Sequence, residues 1–501
     1  MHPVLKFTVF LVAPFAFSCS NRSATVQEPS SDNYYIQGNS NRVAAEWEPA
    51  LGTLVDWPLS VPYKLVVELS KDNHLYTFVE NVQAKNEALK WYTNWGIDSN
   101  NNTFIYTPQG IDSWWVRDWG PGAVFTPSGK MMLGDGKYIY STPFTSFSCD
   151  DSLGFLYKTK DNKIIKTGTD DSATVFLGRG LHVDVLDLPF VNTGGNVMTD
   201  GLGTAFSSCI LLNENRFFGV TRDNFFKLNR DLLGYQRYQI LPNFEPEGIQ
   251  HIDCLMKLLD PERILVIEPP NDHPLHKVYE DIVQNTLSKL QSAYNRPYKI
   301  VRMNTVRYDR ERLAAYTNSI ILNKVIYVPL YKINEDSSAL RRWKELMPGY
   351  TIKGFTFDLK EEPVMTQKMK DHYKAYGWVF DDGLHCRTRA VWDPEMLFIG
   401  VKPTEEKTDA MQRNIVYASI IDYSEKGLVA DQSKLYWRET DKTTWQETPL
   451  TQKDSSHFFA ELPSETPGTT IEYYISARSK SGRYETQPRT APLGTYHVSI
   501  Q

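Results

Sequence analysis

The chain has 501 residues, of which 41% are hydrophobic, 23% charged and 13% aromatic. This length predicts two or three domains, and the composition excludes collagen-like, coiled-coil and wholly disordered chains. The 54 Lys and Arg residues and the 60 Asp and Glu residues give a net charge of −6. Because the chain has no excess of positive charge, nucleic-acid binding is not expected.

The first 19 residues have the pattern of an export signal. A short, weakly basic start precedes an apolar run over residues 7–17, which is too short to cross a bilayer as a stable anchor. Cys19 follows this run, as the lipidated cysteine does in a bacterial lipoprotein signal; the alternative is an ordinary signal peptide, since Phe17 is bulky for a lipoprotein site. We expect an exported protein, secreted, periplasmic or held at the cell surface or outer membrane through Cys19. Residues 20–42 are rich in Ser, Asn and Gln and predict a flexible linker.

Two regions of different character follow the linker. Residues 43–401 alternate strand-like and helix-like stretches, including a helix predicted over residues 276–294 and a strand over residues 320–330. Residues 402–501 carry short strand-like runs separated by turns, which is typical of an immunoglobulin- or fibronectin-type β-sandwich. We therefore expect a large α/β or α+β domain followed by an accessory sandwich.

The five cysteines are widely spread, with no CxxC pair and no zinc-ligand spacing. The apolar neighbours of Cys209 and Cys254 predict buried, unreactive side chains. Cys386 instead lies in a polar, turn-rich segment beside one histidine and two arginines, where positive charge would stabilise a thiolate. Cys386 is therefore the best candidate for a nucleophile.

A tryptophan-rich segment over residues 112–121 contains candidates for cation binding. An aromatic box around a carboxylate, with Asp118 and the neighbouring tryptophans, would suit a planar cation. The alternative is a buried ion pair between Arg117 and an aspartate under an aromatic lid.

Two further segments carry polar or glycine-rich patterns. A strand over residues 248–254 would place His251 and Asp253 on one side, as an acid–base pair, two metal ligands or a structural hydrogen bond. Residues 192–201 contain two adjacent glycines and predict a tight loop whose backbone passes close to another strand or a ligand.

Together these groups suit a reaction on a guanidinium. Two carboxylates can hold its N–H groups in a fork, a thiolate can attack its central carbon, and a histidine can protonate the departing ammonia. Hydrolysis of the covalent thiouronium then leaves a urea group. A cysteine protease is an alternative, but its mechanism does not need a second Asp in a tryptophan box. A non-catalytic surface protein that binds cationic peptides is another.

The same motifs occur in a fixed order along the chain. From the N-terminus they are Glu46-Trp47-Glu48-Pro49 with Asp56-Trp57-Pro58, Trp115-Val116-Arg117-Asp118, Gly194-Gly195-Asn196, His251-Ile252-Asp253 and Leu384-His385-Cys386-Arg387-Thr388. This ordered set, over residues 43–393, resembles the bacterial peptidylarginine deiminases of the agmatine deiminase superfamily. In those proteins an immunoglobulin-like domain likewise follows the catalytic domain.

The resemblance implies a fold and catalytic roles. The fold would be an α/β pentein, a five-bladed α/β propeller, over residues 43–401, followed by an immunoglobulin-like β-sandwich over residues 402–501. Cys386 would be the nucleophile and His251 the general acid and base. Asp118 and Asp253 would bind the guanidinium.

The resemblance also implies contacts around these groups. Trp115 would pack along the substrate side chain, and Arg117 would belong to the substrate-binding set. Asn318 matches the active-site asparagine of the family, with Asn323 as a nearby competitor. Neither a metal nor an organic cofactor is expected for the chemistry.

One family feature is missing from this chain. Members that prefer a C-terminal arginine hold its carboxylate with an Arg-x-Arg pair after the tryptophan–Asp motif, whereas here no arginine lies between Arg117 and Arg179. The expected reaction converts arginine residues of peptides to citrulline and ammonia. Internal arginines, free arginine, agmatine and other guanidine compounds remain alternatives, and export favours extracellular peptides over agmatine.

Overall fold

A computed structural model describes residues 40–111, 113–138, 168–244, 250–373, 377–378, 383–409, 414–463 and 466–501. The predicted signal peptide, nearly all of the linker, Asp112 and residues 139–146, where an Arg-x-Arg pair would be expected, lie outside these ranges. Within them, no helix combines the length and the apolar character needed to cross a membrane.

The strands follow one another along the whole described chain. They are β1 (Arg42–Val43), β2 (Ala50–Asp56), β3 (His74–Val79), β4 (Asn102–Tyr106), β5 (Gly122–Phe125), β6 (Met131–Lys137), β7 (Asp184–Val191), β8 (Met198–Thr199), β9 (Thr204–Ser208), β10 (Arg237–Leu241), β11 (Met256–Asp260), β12 (Arg263–Glu268), β13 (Lys299–Asn304), β14 (Arg307–Asp309), β15 (Arg312–Leu313), β16 (Ile320–Leu322), β17 (Val325–Leu330), β18 (Thr351–Thr356), β19 (Arg389–Trp392), β20 (Leu397–Lys402), β21 (Lys407–Thr408), β22 (Ile415–Asp422), β23 (Lys434–Glu439), β24 (Gln446–Pro449), β25 (Thr451–Gln452), β26 (His457–Glu461), β27 (Thr470–Arg478), β28 (Tyr484–Gln487) and β29 (Tyr496–Ile500).

The helices of the described chain all precede β19. They are α1 (Tyr63–Asp72), α2 (Val82–Asn94), α3 (Val116–Trp119), α4 (Ala173–Leu181), α5 (Ile210–Phe217), α6 (Arg222–Leu233), α7 (Ile252–Leu255), α8 (His276–Asn285), α9 (Asp336–Leu346) and α10 (Gln367–Tyr373). Single 3₁₀ turns cover Ser99–Asn101, Thr169–Ser172, Gly194–Asn196 and Leu287–Lys289.

The region before β20 repeats one structural unit. Its sheets have the strand orders β1-β5-β6-β7, β19-β2-β3-β4, β10-β9-β8, β11-β12-β13 and β16-β17-β18, beside a small β14-β15 pair. Each of the larger sheets combines an antiparallel pair with a parallel pair. Helices connect the parallel strands; they are α1, α4, the pair α5 and α6, α8, and α9. Parallel neighbours require such crossovers, so the predicted α/β class is confirmed.

Helices bury one face against these sheets. In α1, Leu65, Val66 and Leu69 are fully buried, and in α9 the large side chain of Trp343 is fully buried as well. Burial of such apolar area supplies the main stabilisation of the region.

The last strand of the region pairs with one of its first. Strand β19 lies antiparallel to β2, with Arg389 opposite Leu54. Cys386 precedes β19 by three residues, and Glu46 precedes β2 by four, so this pairing brings distant ends of the sequence to one place.

Two elements differ from the sequence predictions. The helix predicted over residues 276–294 ends at Asn285, because Thr286 leaves helical geometry at φ −121° and ψ −71°. The strand predicted over residues 320–330 is a hairpin, β16–β17, since Asn323 and Lys324 adopt φ values of 46° and 65°. Positive φ at both central residues is the signature of a tight hairpin turn.

Residues after β19 form two sheets that share one core. The orders are β20-β22-β26-β25 and β21-β29-β27-β23-β24, with β28 on β27. Val416, Leu435, Ile471 and Val498 are fully buried between them, which makes this region a β-sandwich. Strand β20 pairs with β22, so the first strand of these sheets begins at Leu397, a few residues before the boundary predicted at residue 401.

Arg42 connects the two regions. Its Nη1 donates to both carboxylate oxygens of Glu48 at 2.7 Å. Its guanidinium lies 4.3 Å from the ring centre of Phe398 and 5.6 Å from that of Tyr423, both in the sandwich region, and 5.0 Å from that of Phe125. An arginine of the first region is thereby held by aromatic rings of the second.

Candidate active site

Cys386 lies in a turn immediately before β19 and is 1% exposed. Its Sγ accepts a hydrogen bond from Nδ2 of Asn318 at 3.1 Å and lies 3.4 Å from Oδ2 of Asp253. Oδ1 of Asn318 accepts the backbone N–H groups of Gly383 at 2.8 Å and Cys386 at 3.3 Å. One amide side chain therefore positions both the backbone and the sulfur of the cysteine.

The competing asparagine is not at this site. Asn323 lies in the β16–β17 turn, where its Nδ2 donates to the carbonyl of Ala50 at 2.7 Å and to Oδ1 of Asn73 at 2.8 Å. Of the two candidates, the structure brings only Asn318 to the sulfur.

The turn Gly194–Asn196 brings three ionisable groups together. The N–H of Gly195 donates to Oδ1 of Asp118 at 3.1 Å. A Cβ on Gly195 would lie 2.4 Å from Asp118 Oδ1, 2.9 Å from His251 Nδ1 and 3.3 Å from Asp253 Oδ2. Only glycine leaves room for these groups, and the close approach predicted for this loop is to side chains of the candidate site.

The sequence predicted a strand at His251 and Asp253, but neither residue lies on one. His251 precedes the short helix α7, and Asp253 lies inside it. Gln250 turns the chain with φ 56°, and Oδ1 of Asn196 accepts the N–H of Ile252 at 3.3 Å. A side chain from a distant turn thus competes with strand pairing and sets the direction of both functional groups.

The two arginines after Cys386 donate to backbone carbonyls of other segments. Nη1 of Arg387 donates to the carbonyls of Ser60 and Gly377, at 3.2 and 2.9 Å. Nε of Arg389 donates to the carbonyl of Pro121 at 3.0 Å. The prediction that these two charges stabilise the thiolate is not supported, since their guanidinium groups point to backbone carbonyls of other segments.

His385 lies between two carboxylates. Its Nδ1 is 2.7 Å from Oδ2 of Asp253, and its Nε2 is 2.6 Å from Oε2 of Glu46. Burial and the nearby Arg117 charge lower the pKa of His385. Each short contact to a carboxylate uses one proton, and the Glu46 charge and the Asp253 hydrogen bond oppose the fall in the pKa of the ring.

Arg117 faces this network and not the cluster around Gly195. It is 2% exposed, its Nε donates to the carbonyl of His385 at 3.1 Å, and its Nη1 lies 3.6 Å from Oε2 of Glu46. The carboxylate partner of Arg117 is therefore a glutamate and not the predicted aspartate, and the place of Arg117 in the substrate-binding set stays a prediction. Asp118, its neighbour on α3, points the other way because successive helical residues diverge.

Trp115 is half-buried at the N-terminal end of α3. Its ring centre lies 5.2 Å from that of Trp114, and Asp118 follows within the same short helix.

Neighbouring charges shift the pKa values of His251 and Asp253. Burial alone would lower the pKa of His251, but the carboxylates of Asp118, Asp253 and Glu214 together raise it to about 9. Burial would raise the pKa of Asp253, but its hydrogen bond to His385 and the charges of His385, His251 and Lys257 lower it. At neutral pH the site therefore holds a protonated imidazole and an ionised carboxylate.

Sequence reasoning did not assign roles to Glu46, His385 and Glu214. Glu214 is 2% exposed on α5, and burial, with the Asp118 charge, raises its pKa to about 7 although the His251 charge opposes this. Glu46 and His385 stood in motifs already quoted, but their contact joins residues 339 positions apart. The sequence signal for these three residues is a charged side chain inside an otherwise apolar motif.

Three ligand-type atoms lie close enough to hold a soft metal ion. One atom each from Asp253, Cys254 and Cys386 falls within 4.8 Å of the others. Such a metal would use the sulfur of Cys386 as a ligand and so compete with its use as a nucleophile. Cys254 and Cys386 are free and buried, whereas Cys209, expected to be unreactive, is disulfide-bonded.

The arrangement matches the needs of guanidinium chemistry. The imidazole of His251 and the carboxylates of Asp118 and Asp253 lie beside Gly195, and the sulfur of Cys386 lies 3.4 Å from Asp253 Oδ2. Two carboxylates can pair with a planar cation, and the sulfur next to one of them can reach its central carbon.

Comparison with known proteins agrees with this chemistry. The chain is 24% identical over 363 residues to a protein of Mycoplasma mycoides subsp. mycoides provisionally named an agmatine deiminase, covering 65% of this chain and 91% of that protein. A similarly named Vibrio parahaemolyticus protein is 27% identical over 199 residues, covering 34% of this chain and 54% of that protein.

Solved structures show the same fold. An agmatine deiminase of Enterococcus faecalis has a TM-score of 0.52 at 20% identity, over 71% of this chain and 96% of that one. A Porphyromonas gingivalis protein, provisionally named an arginine deiminase, has a TM-score of 0.52 at 19% identity, over 71% and 99%. The predicted pentein-type deiminase fold is confirmed at this level.

The sequence model of one family matches residues 42–359, which is more than half of the chain and ends before Cys386. The resemblance predicted from the ordered motifs is thereby confirmed. The chain belongs to the Porphyromonas-type peptidyl-arginine deiminase family and is a hydrolase of the guanidino-group deiminase class, acting on C–N bonds.

Proposed function

We propose that this protein is an exported peptidylarginine deiminase that converts arginine residues to citrulline and ammonia. The observation that carries the proposal is the position of the Cys386 sulfur, 3.4 Å from Asp253 Oδ2 and bonded by Asn318, beside the cluster of Asp118 and His251 at Gly195.

Substrate binding would pair the guanidinium with Asp118 and Asp253, while Trp115 covers the aliphatic part of the side chain. Before binding, the Asp253 carboxylate next to Sγ disfavours a second negative charge on the sulfur. A bound cation neutralises that carboxylate and favours the thiolate, so the nucleophile would form mainly when substrate is present.

The reaction then proceeds in two steps. The thiolate of Cys386 attacks the central carbon, and the protonated ring of His251 gives its proton to the departing nitrogen, which leaves as ammonia. Water attacks the resulting thiouronium, His251 takes a proton from it, and the C–S bond breaks to give citrulline and the free thiol. Overall, the guanidinium and one water give citrulline, one ammonia and one proton, which is the proton that the thiol loses to solvent when the thiolate forms.

The peptide substrate is supported by the family and by the export pattern of residues 1–19. The disulfide at Cys209 also supports export, because disulfides persist in oxidising compartments. The five sheets of the α/β region would form the blades of a propeller, and the sandwich would be of the immunoglobulin type.

Citrulline formation from a panel of substrates tests the proposed activity. The panel contains free arginine, agmatine, and peptides with internal or C-terminal arginine, and peptides with internal arginine should have the highest kcat/KM. Cys386→Ala should lower turnover by at least about 10³-fold with an unchanged unfolding curve. Cys254→Ala, which removes a neighbouring buried thiol, should retain turnover.

The outcomes separate the alternatives. Higher kcat/KM on agmatine or free arginine would identify a small-molecule deiminase instead. Peptide cleavage without ammonia would identify a protease, and peptide binding without turnover would identify a binding protein. Full turnover by Cys386→Ala would exclude Cys386 as the nucleophile.

Export and lipidation have a separate test. Palmitate labelling and membrane fractionation of the full chain should show a labelled membrane protein, and Cys19→Ala should abolish the label. An unlabelled protein in the cytoplasm would contradict the proposed location.

A further inference from the structure

A cavity lies beside Glu46. Its volume is about 60 Å³, which is enough for one small ion with water. Glu46, Arg117, Lys257 and Arg389 line it together with apolar side chains. Because Glu46 also contacts His385, the cavity is one side chain away from the candidate active site.

The lining is unusually rich in buried positive charge. Arg117, Lys257 and Arg389 are 2%, 1% and 9% exposed, and among the described residues of the lining Glu46 is the only carboxylate. Three cations therefore face one anion within a mainly apolar wall. Burying like charges in this way is costly unless a counter-charge is supplied.

Glu46 cannot supply that charge to all three. Its Oε1 accepts from Lys257 Nζ at 3.0 Å and from the N–H of Ile321 at 2.9 Å. Its Oε2 is engaged by His385 at 2.6 Å, so Arg117 Nη1 approaches it only to 3.6 Å. Both carboxylate oxygens are thus already used by other donors.

The arginines keep unused hydrogen-bonding capacity. Nη2 of Arg117 is buried and has no hydrogen-bond partner among the described residues. Arg389 forms no ion pair within the described ranges; its Nε donates to the Pro121 carbonyl, and its Nη1 reaches the Gly194 carbonyl only at 3.5 Å. Burial and the Arg117 charge lower the pKa of Arg389 to about 9, which is the mark of a cation without adequate compensation.

We propose that this cavity binds one chloride-sized monovalent anion between Arg117 and Arg389. The anion accepts the free N–H of Arg117 Nη2 and reduces the repulsion between the two guanidinium groups. Its function is to stabilise the folded protein behind the active site, and it takes no part in the reaction.

Thermal unfolding in matched salts tests the site. Sodium chloride and sodium gluconate are compared at equal ionic strength, since gluconate is a bulky, strongly hydrated anion unsuited to a site between two buried guanidinium groups. Chloride should raise Tm by about 2–4 °C in a saturable manner, and gluconate should not. Equal effects of both salts would overturn the proposal.

Two variants locate the effect. Arg389→Gln removes one of the facing charges and should abolish the chloride-dependent part of the Tm rise. Arg387→Gln removes another fully buried arginine that does not line the cavity, so it should lower Tm but keep the chloride response. A chloride response that persists in Arg389→Gln would place the anion elsewhere and overturn the assignment.

Crystals of the unmodified protein soaked in bromide give a readout independent of any variant. An anomalous scattering peak within hydrogen-bond distance of Arg117 Nη2 is expected. Bromide peaks only at the surface, or none, would overturn the proposal. Neither measurement depends on catalysis, so failure here leaves the proposed deiminase activity untouched.

Discussion

At the scale of single residues, the charge on His251 governs the proposed proton transfer. The ring is buried among three carboxylates, and Asp118 makes the largest contribution to its raised pKa of about 9. The protonated form is the one that can give a proton to departing ammonia.

The value of kcat/KM should therefore fall as pH rises through about 9. Asp118→Asn removes the main favourable charge and should move the NMR titration of His251 to lower pH, besides lowering kcat/KM by about 10²–10³-fold. The NMR signals of His457, which lies in the sandwich and contacts Asp454, should be the same in both proteins and serve as an internal reference. An unchanged His251 titration in the variant would show that Asp118 does not set its charge.

The same pKa predicts the direction of a stability change. The ring has a higher pKa in the folded protein than its ordinary value of 6.5. Its contribution to the free energy of unfolding is complete below about pH 6.5 and is lost as pH rises through about 9. Urea unfolding of wild type and His251→Gln should show a difference that shrinks across this range; a difference that grows would contradict the assigned charge state.

Local sequence revealed some of these residues better than others. Cys386 stood out because a cysteine beside polar turn residues is unusual for an inert thiol. The directions of Arg387 and Arg389 were not readable, since a long side chain can bind partners far along the sequence. The contact of His385 with Glu46 was equally invisible, because nothing local links the two positions.

At the scale of elements, the turn Gly194–Asn196 organises the site. It carries Gly195 against three ionisable side chains, and Asn196 fixes the backbone before α7. The sequence showed that glycine was needed here, but the groups it accommodates come from α3 and α7, which pattern reading could not place beside it.

Gly195→Ala should lower kcat/KM by about 10²-fold, because a Cβ 2.4 Å from Asp118 Oδ1 must displace that carboxylate. Gly219→Ala is the matched control: its Cβ meets nothing within 4 Å, although φ is +75°. It should cost about 1 kcal/mol of stability without loss of kcat/KM. Activity and unfolding measured on both variants separate the effects, and an active Gly195→Ala would show that the cluster tolerates movement.

At the scale of the whole molecule, the two regions are joined through buried charge. Strand β20 was not separable from the preceding strands by composition, because only its pairing with β22 assigns it to the sandwich sheets. Arg42, near the start of the first region, had no visible role because its aromatic partners Phe398 and Tyr423 lie more than 350 positions away.

Arg42→Ala should lower the free energy of unfolding by about 3–5 kcal/mol, because it leaves the buried Glu48 carboxylate without its partner. Lys64→Ala breaks the exposed pair with Glu361 and should leave the free energy of unfolding nearly unchanged. Chemical denaturation of both variants provides the comparison. Equal effects would mean that the Arg42 contact is no more than a surface pair.

The pairing of β19 with β2 has a consequence for biosynthesis. The nucleophile and the strand behind it leave the ribosome after more than 380 residues, whereas the elements that receive them emerge within the first 60. A nascent chain therefore carries no competent centre until nearly the whole α/β region has been translated. A chain that terminates before residue 386 lacks the proposed nucleophile and should be inactive.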